Sequence, residues 1–193
     1  MSETSPNPTT PPPPQQTGGP VLPPIDPKAL LATALAVVKN PTEFFKGKKG
    51  ETGFVNCLVF SVAAAAVYGV IVFLSTFLLG LRFSFGFALG AAFTNLIVGV
   101  LVGGLVGPFF GGLIVWGVSL IFGSKAPYEP SVRIAAYTSA LLPAMGVASF
   151  LVVLPYILYV LVSLALTAYA IYIAVMGARV LNFDAPPAAT PTA

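Results

Sequence analysis

The chain has 193 residues, 56% hydrophobic and only 8% charged, with a net charge of +3. A soluble globule carries roughly 25% charged residues, so this composition excludes a water-soluble domain and points to a single integral membrane domain. Histidine is absent and Cys57 is the lone cysteine, which removes an intrachain disulfide and the usual zinc or haem ligands; no cofactor is expected.

Residues 1–26 are proline-rich and poor in apolar side chains, a composition that cannot offset its ordering entropy, and they read as a disordered tail. With no basic start and no apolar run, the tail is not a secretory signal peptide. Pro11 to Pro14 favour a polyproline II spacer.

Residues 27–52 change character. Asp26 is placed to cap a helix with Pro27 in its first turn, and Leu30, Leu31, Ala34, Leu35 and Val38 recur on one face. Asn40, Pro41 and Glu43 repeat the start signal, and Phe44 and Phe45 precede the basic cluster Lys46, Lys48 and Lys49. This pattern suits an amphipathic helix lying in the interface of an anionic leaflet. The alternative is a helix packed under the bundle, its lysines merely solvated.

Residues 53–182 carry the spans. Phe54 to Gly80 is uncharged and longer than the roughly 20 residues that cross a bilayer. Cys57, near its start, is read as a small packing residue, with lipidation as the alternative. After a turn with Arg82, Phe87 to Phe122 runs without a charge and exceeds one crossing; one long helix, two halves hinged at Gly107 and Pro108, or a re-entrant segment plus a span all satisfy it. A polar island with Lys125, Glu129 and Arg133 follows, then a span from Ile134 to Val153 containing Pro143 and a last one from Pro155 to Val180. Residues 183–193 read as a second disordered tail. Lys39, Lys46, Lys48 and Lys49 put the amino-terminal side in the cytoplasm, and an even number of crossings puts Lys125, Arg133 and Arg179 there too.

Gly99, Gly103, Gly107 and Gly111 recur every fourth residue, as do Gly86 and Gly90, a spacing that predicts close helix packing. A permeation path beside the Pro108 break is the functional alternative. No acidic residue lies between Glu51 and Glu129 or between Glu129 and Asp184, so the midplane carboxylate typical of ion-coupled transporters is missing. Enzyme chemistry finds little: no histidine-activated nucleophile is available, and a Ser/Lys dyad would have to pair Lys125 with Ser124 or Ser131. Trp116 and the tyrosine pairs Tyr156/Tyr159 and Tyr169/Tyr172 read as interfacial or interhelical anchors.

The order of these features resembles the Yip-domain family, multi-span membrane proteins whose eukaryotic members associate with Ypt/Rab GTPases in the early secretory pathway. The carriers are "NPTEFF", with Pro41, Phe44 and Phe45; "VWGVSLIFGSKAPYEPSVRIAAYTSALLP", with Trp116, Gly123, Lys125, Arg133, Ala136, Tyr137 and Pro143; and "YAIYIAVMGARVLN", with Gly177 and Arg179. The resemblance spans about Ala29 to Asn182. It implies five spans where the charges favour an even number, so the expected fold is an all-α membrane bundle of four to five spans behind an amphipathic interfacial helix. It supplies no catalytic residues and implies a non-enzymatic scaffold or adaptor in membrane organisation or trafficking, with a small channel or transporter as the alternative. The expected setting is a bacterial inner membrane, or a Golgi or ER membrane in a eukaryote. The partners expected are the bilayer and a protein on the cytosolic face, with homo-oligomers left open and nothing pointing to nucleic acid. The polar island is read as an interfacial turn, broken by Pro127 and Pro130, with Lys125 and Arg133 held among the headgroups and Arg133 snorkelling.

Overall fold

A computed structural model describes residues 26–153 and 156–183. The two expected disordered tails lie outside the described residues except for Asp26 and Phe183. Two short helices come first. In α1 (Pro27–Lys39) the Asp26 carboxylate accepts the Lys28 N–H at 2.9 Å and Pro27 fills the first turn, where its missing donor costs nothing. Asn40 caps α2 (Pro41–Gly47) by accepting the Glu43 N–H at 3.3 Å.

Among the described residues, four segments are long and apolar enough to cross a membrane: Val55–Gly80, Phe85–Ile121, Tyr128–Val152 and Tyr156–Phe183. The count falls at the lower end of the expected four to five, because the long second segment stays one continuous run of 37 residues. It consists of α4 (Phe85–Val98), a π-helical stretch Gly99–Val106 and α5 (Gly107–Ile121). Pro108 falls directly after the π stretch, at the start of α5, and the segment continues through it unbroken. The first segment is α3 (Val55–Gly80). The third is interrupted: α6 (Tyr128–Thr138), a 3-10 turn Ser139–Leu141, α7 (Leu142–Ala148) opened by Pro143, and a second 3-10 stretch Ser149–Val153. The last is α8 (Tyr156–Ala178) followed by π-helical Arg179–Phe183.

The second segment changes partner along its length. Its first half, α4 and the π stretch, lies on α3, and α5 then packs along α6. Backbones meet where side chains are missing. A Cβ on Gly104 would lie 2.8 Å from Ala65 Cβ and 2.9 Å from Val62 Cα of α3, and one on Gly112 would lie 2.7 Å from Val132 Cα of α6. In lipid, where apolar burial gives no preference for helix contact, such approaches are a principal source of association.

This geometry alters the expected glycine ladder. A Cβ on Gly99 would lie 3.5 Å from the Tyr68 ring and one on Gly111 3.1 Å from Ala135 Cβ, but a Cβ on Gly103 would meet nothing within 4 Å and one on Gly107 only its own helix at Val102 O, 3.0 Å away. Gly86 and Gly90 likewise face open space. The cause is the π stretch, in which the Gly107 N–H reaches back five residues to Val102 O. Each such turn holds an extra residue, so a period-four stripe rotates off the contact face.

Lys48–Gly53, the Gly123–Pro127 loop, the start of α6 and the end of α8 meet at one end of the bundle, linked by hydrogen bonds from Arg133 to Lys48 and from Ser124 to Asn182. The turn holding Arg82 joins α3 to α4 at the opposite end.

Candidate functional site

The least apolar of the spanning segments opens with a strongly enclosed helix. In α6, residues Pro130 to Ile134, Ala136 and Tyr137 are all buried. The helix begins at Tyr128, not at Ile134, so the polar island is mostly helical. Pro127 stands at the cap in an extended conformation and Pro130 occupies the first turn, where no intrahelical N–H is lost. The prolines start the helix and do not break it.

Glu129, Arg133 and Tyr137 stand four residues apart on one stripe of α6, and together they hold the segment that precedes α3. Arg133 is only 6% exposed. Its Nη1 donates to the carbonyls of Glu51 and, at 3.4 Å, of Lys48, while Nη2 lies 4.0 Å from the Glu129 carboxylate. The expected snorkelling to the headgroups is therefore corrected: the guanidinium turns inward because two carbonyls and a carboxylate offset its lost hydration. Tyr137 donates to the Glu51 carboxylate, 3.0 Å from each oxygen. Lys48 Nζ is 3.3 Å from the same carboxylate and lies over the Tyr137 ring at 5.2 Å, an arrangement that adds cation–π attraction. Glu129 accepts the Gly53 N–H at 2.6 Å, and Gly53 has φ +78°, the left-handed region that glycine enters without strain.

Beneath this polar layer lies an aromatic one. Phe44 packs edge-on against Tyr137 with ring centroids 4.9 Å apart, and Phe60 approaches Tyr137 at 5.5 Å. Phe45 is fully buried against Gly177 of α8, where a Cβ would lie 2.8 Å from the Phe45 ring and 3.0 Å from Ile134 Cγ2. Phe44 and Phe45 thus face the bundle and not the lipid interface. The expected apolar face of α1 is divided as well: Leu30, Ala34 and Val38 pack on the core, whereas Leu31 is 62% and Leu35 46% exposed. Tyr169 of α8 ties α1 down by donating to Val38 O.

A second hydrogen-bonded group closes the other side of α6. Asn182 Nδ2 donates to Ser119 of α5 and Ser131 of α6, each at 2.9 Å, and Ser124 donates to Asn182 O at 2.7 Å. Both serines considered for a Ser/Lys dyad are therefore bonded to Asn182, and Lys125 is exposed. Gly123, at φ +85°, ends α5, and Trp116 holds the following loop by donating to Ala126 O at 3.2 Å and packing edge-on against Tyr128. Cys57 is buried and its thiol donates to Phe54 O at 3.2 Å.

Of the residues singled out in the sequence, Phe44, Phe45, Arg133, Tyr137 and Gly177 converge at this end. Trp116, Gly123 and Lys125 belong to the adjoining loop, Pro143 opens α7, and Arg179 sits exposed at the close of α8. The partners that sequence reasoning missed are Glu51, Glu129 and Asn182. A signal existed for the first two: Glu129, Arg133 and Tyr137 share helical spacing, and such a stripe in an apolar protein requires matching polar groups elsewhere.

The Yip1 domain family model matches residues 35–192, which contain the entire cluster and all four spans. The chain belongs to the Yip1 domain family. No curated protein and no solved structure matches it. Yip1 domain proteins are non-enzymatic membrane proteins, and this member is an integral membrane protein by family and by its four apolar spans.

Proposed function

We propose that this Yip1 domain protein is a membrane scaffold or adaptor that organises other proteins at the bilayer, in membrane organisation or trafficking. The observation that carries this reading is the fixed presentation of α1. One side of the helix is locked to the bundle through Val37, Val38 and Tyr169, and the other offers Leu31 and Leu35 to a partner or to the headgroup region, with Lys28 and Lys39 beside them. A rigid display of this kind serves docking. The Tyr137 hydroxyl, the Glu51 and Glu129 carboxylates and the Lys48 and Arg133 cations are bonded within the cluster, which favours a structural role over proton transfer.

Lys39, Lys48, Lys125 and Arg179 gather at the α1 end and Arg82 lies at the other, a bias that supports a cytosolic α1 end. A bacterial inner membrane, or a Golgi or ER membrane in a eukaryote, suits this arrangement. Self-association is compatible with it and is read out by the same cross-linking.

One observation favours the channel reading: a cavity of about 200 Å³ borders Gly103, Gly107 and Pro108, and the buried Ser61 hydroxyl there has no hydrogen-bond partner. Purified protein in liposomes separates the two. Solute or ion flux that Gly103→Leu abolishes supports transport, since a Cβ at that position meets nothing within 4 Å. Absence of flux, together with cross-linking in cells to a cytosolic protein from positions 31 and 35 that Leu31→Glu/Leu35→Glu removes, supports the adaptor.

A further inference from the structure

A groove of about 630 Å³ opens between α5 and the end of α8. Its walls are two stripes at helical spacing, Ile114, Val118 and Phe122 on one side and Ile171, Val175 and Arg179 on the other. The five apolar members are all exposed, because α5 and α8 barely touch. Near its base Ser119 is occupied by Asn182, so the lining offers no free hydroxyl there. The volume falls within the roughly 300–1,000 Å³ typical of ligand sites.

Arg179 decides what fits. It lies three residues before Asn182, at the level of the polar end of the bundle, and has no acidic partner among the described residues. The chain holds six acidic residues. Four of them are engaged within their own chain: Asp26 caps α1, Glu43 pairs with Lys46, Glu51 with Tyr137 and Lys48, and Glu129 with Gly53 and Arg133. Among the described residues, a second copy of the chain therefore offers no unengaged carboxylate to Arg179. A phospholipid brings both things the groove lacks, a hydrocarbon chain for the stripes and a phosphate whose oxygens match the planar guanidinium.

We propose that the α5–α8 groove is a binding site for one anionic phospholipid, its acyl chain lying between Val118 and Val175 and its phosphate bonded to Arg179. Lipid tails fill any lipid-facing furrow, so retention and headgroup preference distinguish a site from ordinary solvation.

The test is native mass spectrometry of the full chain, taken from vesicles holding equal parts phosphatidylglycerol and phosphatidylcholine. One retained phosphatidylglycerol is expected for the unaltered protein. Arg179→Gln, an exposed position, should lower that preference about tenfold, because the phosphate of phosphatidylcholine is already balanced by its own choline cation and gains less from the guanidinium than that of phosphatidylglycerol. Val118→Trp should reduce retention of both lipids by filling the groove. Protection of Cys57 from a thiol reagent checks that each variant is folded. The proposal is overturned if Arg179→Gln keeps the unaltered headgroup preference, if Val118→Trp retains lipid like the parent, or if a detergent-stable dimer without bound lipid occupies the groove.

Discussion

Gly177 offers the sharpest test of the packing that joins α2 to the bundle. In Gly177→Ala the new Cβ would stand 2.8 Å and 3.0 Å from two carbons of the Phe45 ring and 3.0 Å from Ile134 Cγ2. Phe45 has no room to withdraw, being fully buried with Phe44 and Tyr137 against it. Overpacking of this kind costs about 1–3 kcal/mol, while replacing glycine by alanine within a helix returns about 0.8–1.0 kcal/mol. The net expectation is a loss of about 1 kcal/mol, reaching about 2 if the ring cannot tilt. For a chain of this length that corresponds to a fall of about 2–8 °C in Tm. The protein supplies its own reporter: Cys57 is its single thiol and is buried, so a thiol-reactive fluorophore registers unfolding in detergent. Gly103→Ala, whose Cβ meets nothing within 4 Å, serves as the control and should not lower Tm. Phe45→Leu combined with Gly177→Ala should recover part of the loss, a coupling expected only of residues in contact. An unchanged or raised Tm for Gly177→Ala, with no coupling to Phe45, would refute the reasoning.

Three further outcomes follow from the polar end of the bundle. Tyr137→Phe removes the hydroxyl that bonds Glu51 and should cost about 1 kcal/mol, within the range of up to about 1.7 for interhelical bonds in membranes, read as a Tm fall in the thiol assay. Arg133→Met frees the carbonyls of Lys48 and Glu51 while leaving the apolar bulk in place. Charge-assisted bonds contribute about 1.5–3 kcal/mol, so trypsin cleavage after Lys48 or Lys49 should accelerate by at least about tenfold; equal cleavage rates would show that the arginine does not hold this segment. Asn182→Ala deletes two side-chain bonds averaging about 0.6 kcal/mol each, so a loss near 1 kcal/mol is expected, and one several times larger would point to cooperation with Ser124.

The spans and the helix starts were legible because each depends on nearby residues: an uncharged run of sufficient length, or Asp26 and Asn40 ahead of a proline. The role of α6 was not. Two prolines, a glutamate and an arginine within seven residues resemble a loop to any local reading, yet Pro127 and Pro130 fall where a helix needs no donors. The charges are affordable only because Glu51, Lys48 and Gly53, some eighty positions earlier, arrive against them. The glycine ladder was legible only in part, for a different reason. A period of four identifies a stripe only if the helix keeps its pitch, and the π stretch between Gly99 and Val106 moves the contact from Gly103 to Gly104. The family resemblance rested on residues that prove to be neighbours, Phe45 with Gly177 and Phe44 with Tyr137, but pattern order alone did not reveal their contacts.

The uninterrupted second segment constrains the membrane around the protein. At the ordinary rise of about 1.5 Å per residue, 37 residues trace about 55 Å, whereas the hydrocarbon slab is about 30 Å thick. Such a rod must lean, emerge, or draw a thicker film around itself, and each adjustment carries a modest penalty that shrinks as the surrounding leaflets thicken. Bilayer thickness therefore bears directly on how steeply this segment lies in the membrane.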